Sequence, residues 1–233
     1  MITYRSHLIA REGWPLIAIT ALIAAVLHFS TNGFIALPIW VAAAVLCVLF
    51  RDPRRVVPPK PLAIISPVDA RVTAIDTVKD PYTQSESTQI QMRKGLFDVI
   101  STRSPMEGKI IKQWFKTLDS ETVDIVSDGH DIVDAVASQT SASVVVAEPK
   151  VCFALWIQSD EQDNVVMVLQ SASSIFKPRC YAHSGERVGQ GQRCGFVLFN
   201  ALVQVRVPVT SRVEVKVGDL VRAGSDTLAT LVH

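Results

Sequence analysis

Residues 184–208 read SGERVGQGQRCGFVLFNALVQVRVP, a glycine-rich turn followed by an alternating strand. The turn pattern G-[DE]-x-V-x-x-G at 185–191 recurs at 218–224, 33 residues later. Because glycine tolerates the positive φ angles of tight turns, we expect two related hairpins, each with its valine in the core. In 202–207 valines alternate with Gln204 and Arg206, a pattern typical of a half-buried strand.

Short runs rich in valine and isoleucine recur through the rest of the chain after Leu62. They predict a mostly-β domain over 62–233, because β-branched residues favour strands. About 170 residues are enough for a single packed core. The runs that we expect to be strands lie at 62–65, 71–75, 109–115, 143–147, 151–157 and 164–170.

The N-terminal segment 14–50 contains no Asp, Glu, Lys or Arg, in a chain whose mean hydropathy is +0.28. A turn signal at 30–33 divides it, so we predict a two-helix membrane hairpin over 1–50, with helices at about 14–29 and 33–50, either spanning or re-entrant. A cleavable signal peptide and a buried helical hairpin are the alternatives. The positive-inside rule places both flanks, and the bulk of the chain, on the cytoplasmic face of the membrane. The basic residues of the flanks are Arg5, Arg11, Arg51, Arg54, Arg55 and Lys60.

The segment 51–61, RDPRRVVPPKP, is a proline- and arginine-rich linker. We expect a rigid exit from the membrane whose basic side chains contact anionic headgroups, or otherwise a solvated linker. The whole chain holds 23 Lys+Arg and 22 Asp+Glu, a balance that argues against a nucleic-acid partner. Its 4 cysteines lack paired spacing, so neither a disulfide framework nor a zinc knuckle is predicted.

An acidic stretch from Asp119 to Asp134 contains no basic residue. Within it Asp128, His130 and Asp131 could bind a divalent cation, but their spacing fits neither a calcium loop nor a two-histidine zinc site. We therefore predict a solvated acidic face and no metal site.

Five segments, in this order, resemble the short, membrane-hairpin form of the phosphatidylserine decarboxylase family. The resemblance implies a decarboxylase-like β domain, and the repeated G-[DE]-x-V-x-x-G pattern resembles the hairpin turns of biotinyl and lipoyl barrel-sandwich domains. The family resemblance also implies a carboxy-lyase of phosphatidylethanolamine synthesis. The segments are REGWPLI (11–17), FRDPRRVVP (50–58), ISPVDARV (65–72), FDVISTRSPMEGKI (97–110) and PRCYAHSGERVGQGQRCGFVLFNALVQVRVP (178–208).

In that family a Gly-Ser pair breaks and the serine becomes a pyruvoyl group, which accepts electrons as the substrate loses CO₂. The resemblance implies an Asp–His pair that activates the serine as a general base. Here Asp69 keeps the acidic position, or is a turn carboxylate, while Ile100 stands at the histidine. Asn200 and Ala201 replace the glycine and the serine. Alanine has no hydroxyl, so we predict that no pyruvoyl forms and that the protein has no other cofactor.

Arg103 also matches a family arginine and is a candidate phosphate ligand, with a structural role as the alternative. The leading hypothesis is a membrane protein of this family that has lost self-cleavage and decarboxylation. Its predicted partners are membrane lipids, with an aminophospholipid as the candidate, and a homo- or hetero-oligomer with an active relative. The alternatives are an active phosphatidylserine decarboxylase and a membrane-anchored adaptor that docks a protein partner.

Overall fold

The structure, a computed structural model, describes residues 9–30, 33–117, 120–123, 151–171 and 177–232. A 3-10 turn (Arg11–Gly13) leads into helix α1 (Trp14–Ser30), and α2 (Gly33–Leu49) follows. The remaining regular structure in these ranges consists of strands. The prediction of a mostly-β chain behind two N-terminal helices is confirmed.

Antiparallel pairing organises the strands of the described ranges into three sheets. The strands are β1 (Ala63–Ile65), β2 (Ala70–Lys79), β3 (Glu86–Arg93), β4 (Ser101–Arg103), β5 (Gly108–Thr117), β6 (Ser120–Val123), β7 (Val151–Gln158), β8 (Asn164–Ser171), β9 (Arg179–Cys180), β10 (Arg187–Val188), β11 (Arg193–Phe196), β12 (Leu202–Pro208), β13 (Arg212–Val213), β14 (Leu220–Val221) and β15 (Thr227–Thr230). The largest sheet has the order β10-β5-β7-β8-β12-β3-β2-β14, with β6 beside β5. The two smaller sheets are β1-β15-β13 and β4-β11-β9. Five of the six predicted runs fall on these strands, and the run at 143–147 lies outside the described residues.

The glycine turns at 185–191 and 218–224 contact two further turns that also repeat, SPVDA and SPMEG. Each of these begins with a serine, Ser66 or Ser104, whose hydroxyl donates to the carbonyl two residues on at 2.7 Å. The last glycine of each glycine turn donates its N–H to one of those serine carbonyls, at 2.8 and 2.9 Å. The valine of each turn is buried, as predicted. The two hairpins are therefore copies of one unit, packed against each other.

Strand β12 differs from the half-buried strand that its alternation predicts. It lies between β8 and β3, and Gln204 and Arg206 are only 5% and 3% exposed. Arg206 donates to Asp80 at 2.6 Å and to Gln89 at 3.0 Å, so the buried guanidinium is paired. The prediction was wrong because alternating apolar and polar residues indicate that one face of a strand is polar, but not whether other parts of the chain cover that face.

Helices α1 and α2 pack through small residues, Ala24, Ala36 and Ala43, which let the two backbones approach closely. Their remaining surface is largely apolar, and Phe29 and Phe34, beside the connection, are each 88% exposed. In the ranges that the structure covers, neither helix combines the length and the apolar character that a membrane crossing requires. The two predicted helices are therefore present, but their prediction as a membrane hairpin is not supported.

The base of the hairpin is attached to the β domain by an apolar cluster. Ala10 and Phe50, one at each end of the hairpin, pack with Ile100 and Leu198. The Ala10 N–H also donates to the Phe50 carbonyl at 2.7 Å, which holds the two ends together. The linker that follows is not simply solvated, because Asp52 is 2% exposed.

Candidate functional site

The turn that joins β11 to β12 holds Asn200 and Ala201, the predicted cleavage position. Asn200 has a φ of 57°, in the left-handed region that glycine adopts freely and asparagine more readily than most residues. Its side-chain oxygen accepts a hydrogen bond from Arg93 at 3.2 Å. Asn200 thus adopts a backbone conformation typical of glycine, and asparagine is one of the few other residue types that accept it.

Ala201 follows, immediately before β12, and is 0% exposed. Its methyl group belongs to the main apolar core, and its carbonyl accepts the Lys94 N–H at 3.0 Å. Nothing at this side chain can attack a carbonyl, since it has no hydroxyl or thiol.

The structure brings Ile100 next to this turn, because the Val197 N–H donates to the Ile100 carbonyl at 2.9 Å. The Ile100 side chain is 0% exposed and lies in the apolar cluster at the base of the hairpin. Ile100, which stands at the predicted histidine position, therefore lies beside the predicted cleavage turn, and its hydrocarbon side chain cannot carry a proton.

Asp69 is held by two partners far away in sequence. Arg55 donates to one carboxylate oxygen at 2.7 Å, and the Ala223 N–H donates to the other at 2.7 Å. Both oxygens thus join the linker to the second glycine turn. This geometry supports the turn-carboxylate alternative, with partners that lie on other segments. A catalytic role for Asp69 stays a prediction.

Lys94 is a component of the site that the sequence did not indicate. Its side chain is 1% exposed, and Nζ donates to the Val99 carbonyl at 2.5 Å. Burial lowers its pKa from the ordinary 10.5 to about 8, against the opposing effect of the nearby Asp98 and Asp69 carboxylates. No sequence signal marks it, because a lysine at the end of a strand is normally solvated.

A buried charge cluster ties the hairpin to the strands of the site. Asp52 accepts the Ser101 hydroxyl at 2.9 Å and lies 3.5 Å from the Arg103 guanidinium and 3.3 Å from Arg193 Nε. Arg193 also pairs with Glu12 at 2.7 Å. The cluster therefore joins both ends of the hairpin to strands β4 and β11.

Arg103, the candidate phosphate ligand, is part of that cluster and is 9% exposed. It also donates to the Gly191 and Pro53 carbonyls at 3.2 and 3.3 Å. Burial lowers the pKa of Arg103, and the Asp52 carboxylate opposes that shift. These contacts favour the structural role, and phosphate binding stays a prediction.

Within the described ranges, no group of three or more His, Cys, Asp or Glu side chains could hold a metal ion. The acidic stretch at 119–134 lies outside them, apart from strand β6. Free thiols are found at Cys47, Cys152, Cys180 and Cys194.

Comparison with known proteins was made for the whole chain. Residues 43–229 match the family model described as phosphatidylserine decarboxylase. The phosphatidylserine decarboxylase proenzyme of Nitrosomonas eutropha is 35% identical over 231 residues, which cover 97% of this chain and 96% of that protein. The proenzyme of Burkholderia cenocepacia is 34% identical over 232 residues, 99% of each chain. No solved structure matches the chain. These matches show that the chain belongs to the phosphatidylserine decarboxylase family.

Proposed function

We propose that this protein is a membrane-surface member of the phosphatidylserine decarboxylase family that does not cleave itself and has no decarboxylase activity. The observation that carries the proposal is the buried methyl group of Ala201 at the cleavage turn. The family's pyruvoyl group is made from a serine of the chain, and the residue present does not fit that group. No catalytic step through a pyruvoyl follows for this chain.

The surroundings of the turn support the same conclusion. Ile100 cannot accept a proton, and a histidine in its place would have to enter an apolar cluster at a desolvation cost. The positive φ of Asn200 indicates that the backbone of the cleavage turn is kept although its chemistry is replaced. The paired glycine turns support the further interpretation that the β domain is of the barrel-sandwich type.

Association with lipid is supported by the surface of the helical hairpin. Large apolar side chains are exposed along both helices, including Trp14 at 59% and Trp40 at 46%. Contiguous apolar surface of this kind commonly marks a membrane or protein interaction site. The exposed Arg51 and Arg54 at its base are suited to anionic headgroups on the cytoplasmic face.

Intact mass spectrometry of the purified protein, with a carbonyl-reactive probe, tests the loss of self-cleavage. The Nitrosomonas eutropha proenzyme, treated in parallel, is the positive control. We expect one unlabelled chain of 25.5 kDa, because no serine stands at the cleavage turn. Two fragments, one of them labelled at its new N-terminus, would show an active decarboxylase and overturn the proposal.

Three further measurements separate the remaining functions. Complementation of a decarboxylase-deficient strain would reveal any residual activity. Co-sedimentation with phospholipid vesicles tests lipid association, which we expect for the full-length chain. Crosslinking in membranes would reveal oligomers with itself or with an active relative. Capture of one stoichiometric protein partner, without vesicle binding, would instead favour the adaptor.

A further inference from the structure

A groove of about 280 Å³ runs between helix α2 and the loop that precedes β4. One wall is the loop residue Phe97, and the other is a stripe of α2 residues with helical spacing. Each of these side chains is apolar. The α2 residues are Val41, Ala44, Val45, Val48 and Leu49. The volume is slightly below the roughly 300–1,000 Å³ of pockets that hold whole small ligands, so a segment of hydrocarbon suits it better.

The loop wall belongs to the same segment as the vacated site. Leu96 and Phe97 are 61% and 72% exposed, an unusual placement for two adjacent large apolar side chains. Only two residues separate Phe97 from Ile100, which packs against the base of the hairpin. The exposed apolar surface of α2 thus continues onto residues of the β domain.

A positive charge lies at the end of this groove. The guanidinium of Arg51, two residues after Leu49, donates to the Phe97 carbonyl at 3.3 Å, and the residue is exposed. An arginine has five N–H donors, so this contact leaves capacity for an anion. The carboxylate of Asp98, on the same loop, accepts the Gly95 N–H at 2.5 Å and lies near the Lys94 ammonium.

We propose that this groove binds one acyl chain of an anionic glycerophospholipid, whose phosphate is bound by Arg51. The occupant follows from the combination of an entirely apolar lining with a cation at one end. An anionic lipid presents a hydrocarbon chain and a negative charge in one molecule. The inference rests on the proposed membrane-surface function and identifies the lipid contact beside the vacated site.

Photo-crosslinking tests the groove in the full-length protein. The probe is a vesicle of phosphatidylglycerol that contains a lipid with a diazirine in its acyl chain. Labelled peptides are identified by mass spectrometry. We expect label on residues 41–49 and 95–98 together, because these two segments form the walls. Val45→Trp should fill the groove and remove most of the label from 95–98.

Val26→Trp is the matched control, since Val26 and Val45 are 58% and 52% exposed on the hairpin and only Val45 lines the groove. It should leave the labelling unchanged. Arg51→Gln should weaken partitioning to phosphatidylglycerol vesicles about fivefold, the equivalent of the ~1 kcal/mol that a basic residue contributes there. Arg54→Gln, an exposed arginine outside the groove, controls for general charge and should not alter labelling of 95–98.

The outcomes separate the groove from membrane association as a whole. If wild type and Val45→Trp bind vesicles and give the same label on 95–98, the groove proposal is wrong while the membrane-surface function stands. If the wild-type chain binds no vesicle at all, both fail.

Discussion

Replacement of Asp52 by alanine should detach the hairpin base from the β domain. The Asp52 side chain is 3% exposed and faces the guanidinium groups of Arg103 and Arg193 at 3.5 and 3.3 Å. Without it, Arg103 keeps only carbonyl partners, whereas Arg193 keeps Glu12. The variant therefore leaves at least one arginine buried without a counter-charge.

Removing one partner of a buried ion pair typically costs about 3–5 kcal/mol. The two arginine side chains are still 11% and 14% exposed, so partial hydration places the expected loss at the lower end. A loss of about 3 kcal/mol lowers the melting temperature of a chain of this size by about 6–12 °C. Thermal unfolding in detergent, followed by circular dichroism, measures this shift.

The exposed pair between Asp160 and Arg187 supplies the control, because its two side chains are 72% and 56% exposed. Asp160→Ala should leave the melting temperature unchanged, since solvent screens such pairs. Limited proteolysis with trypsin gives a second measurement, which should show faster cleavage at Arg54 in the Asp52→Ala protein. If the Asp52→Ala and Asp160→Ala proteins have the same melting temperature, the buried charge cluster does not hold the hairpin as described.

Three further predictions follow from burial and backbone geometry. Burial lowers the Lys94 pKa to about 8, so the folded state releases that proton before the unfolded chain does, and stability should rise between about pH 8 and 10.5. Lys94→Met should lack this rise. The difference in free energy of unfolding between wild type and Lys94→Met, measured with urea, should therefore change by about 3 kcal/mol in favour of wild type from pH 8 to 10.5. A difference that stays constant with pH would contradict the prediction. Gly195→Ala should lower the melting temperature more than Gly218→Ala. An added Cβ at Gly195 would overlap a carbonyl of β9, whereas at Gly218 it would meet no atom and only the φ of 100° would be strained. Equal losses would be inconsistent with the close approach of β9 and β11. Iodoacetamide at pH 8 should alkylate Cys180 before Cys152, since a hydrogen bond from a neighbouring thiol lowers the Cys180 pKa and burial raises the Cys152 pKa to about 11; peptide mapping that finds the reverse order would refute this.

The prediction of the strands from sequence succeeded where local residue types are sufficient. Runs rich in valine and isoleucine predicted β1, β2, β5, β7 and β8 because such residues suit a pleated surface. The glycine turns were predicted because few other residues accept their positive φ. Strand β3 was missed, since its residues, ESTQIQMR, are mostly polar and it is the neighbours β2 and β12 that make it a central strand.

The prediction that no pyruvoyl forms also rests on sequence alone, because the absence of a hydroxyl at Ala201 does not depend on the fold. What only the tertiary structure decided is which charges are buried. Arg206 pairs with Asp80 across 126 residues, and Tyr181 hydrogen-bonds Glu12 across 169. Burial of a charged group is favourable only when its partner arrives from elsewhere in the chain. No local sequence pattern predicts which distant residue will pair with a buried charge. Lys94 and the Asp52 cluster could therefore be recognised only in the folded molecule.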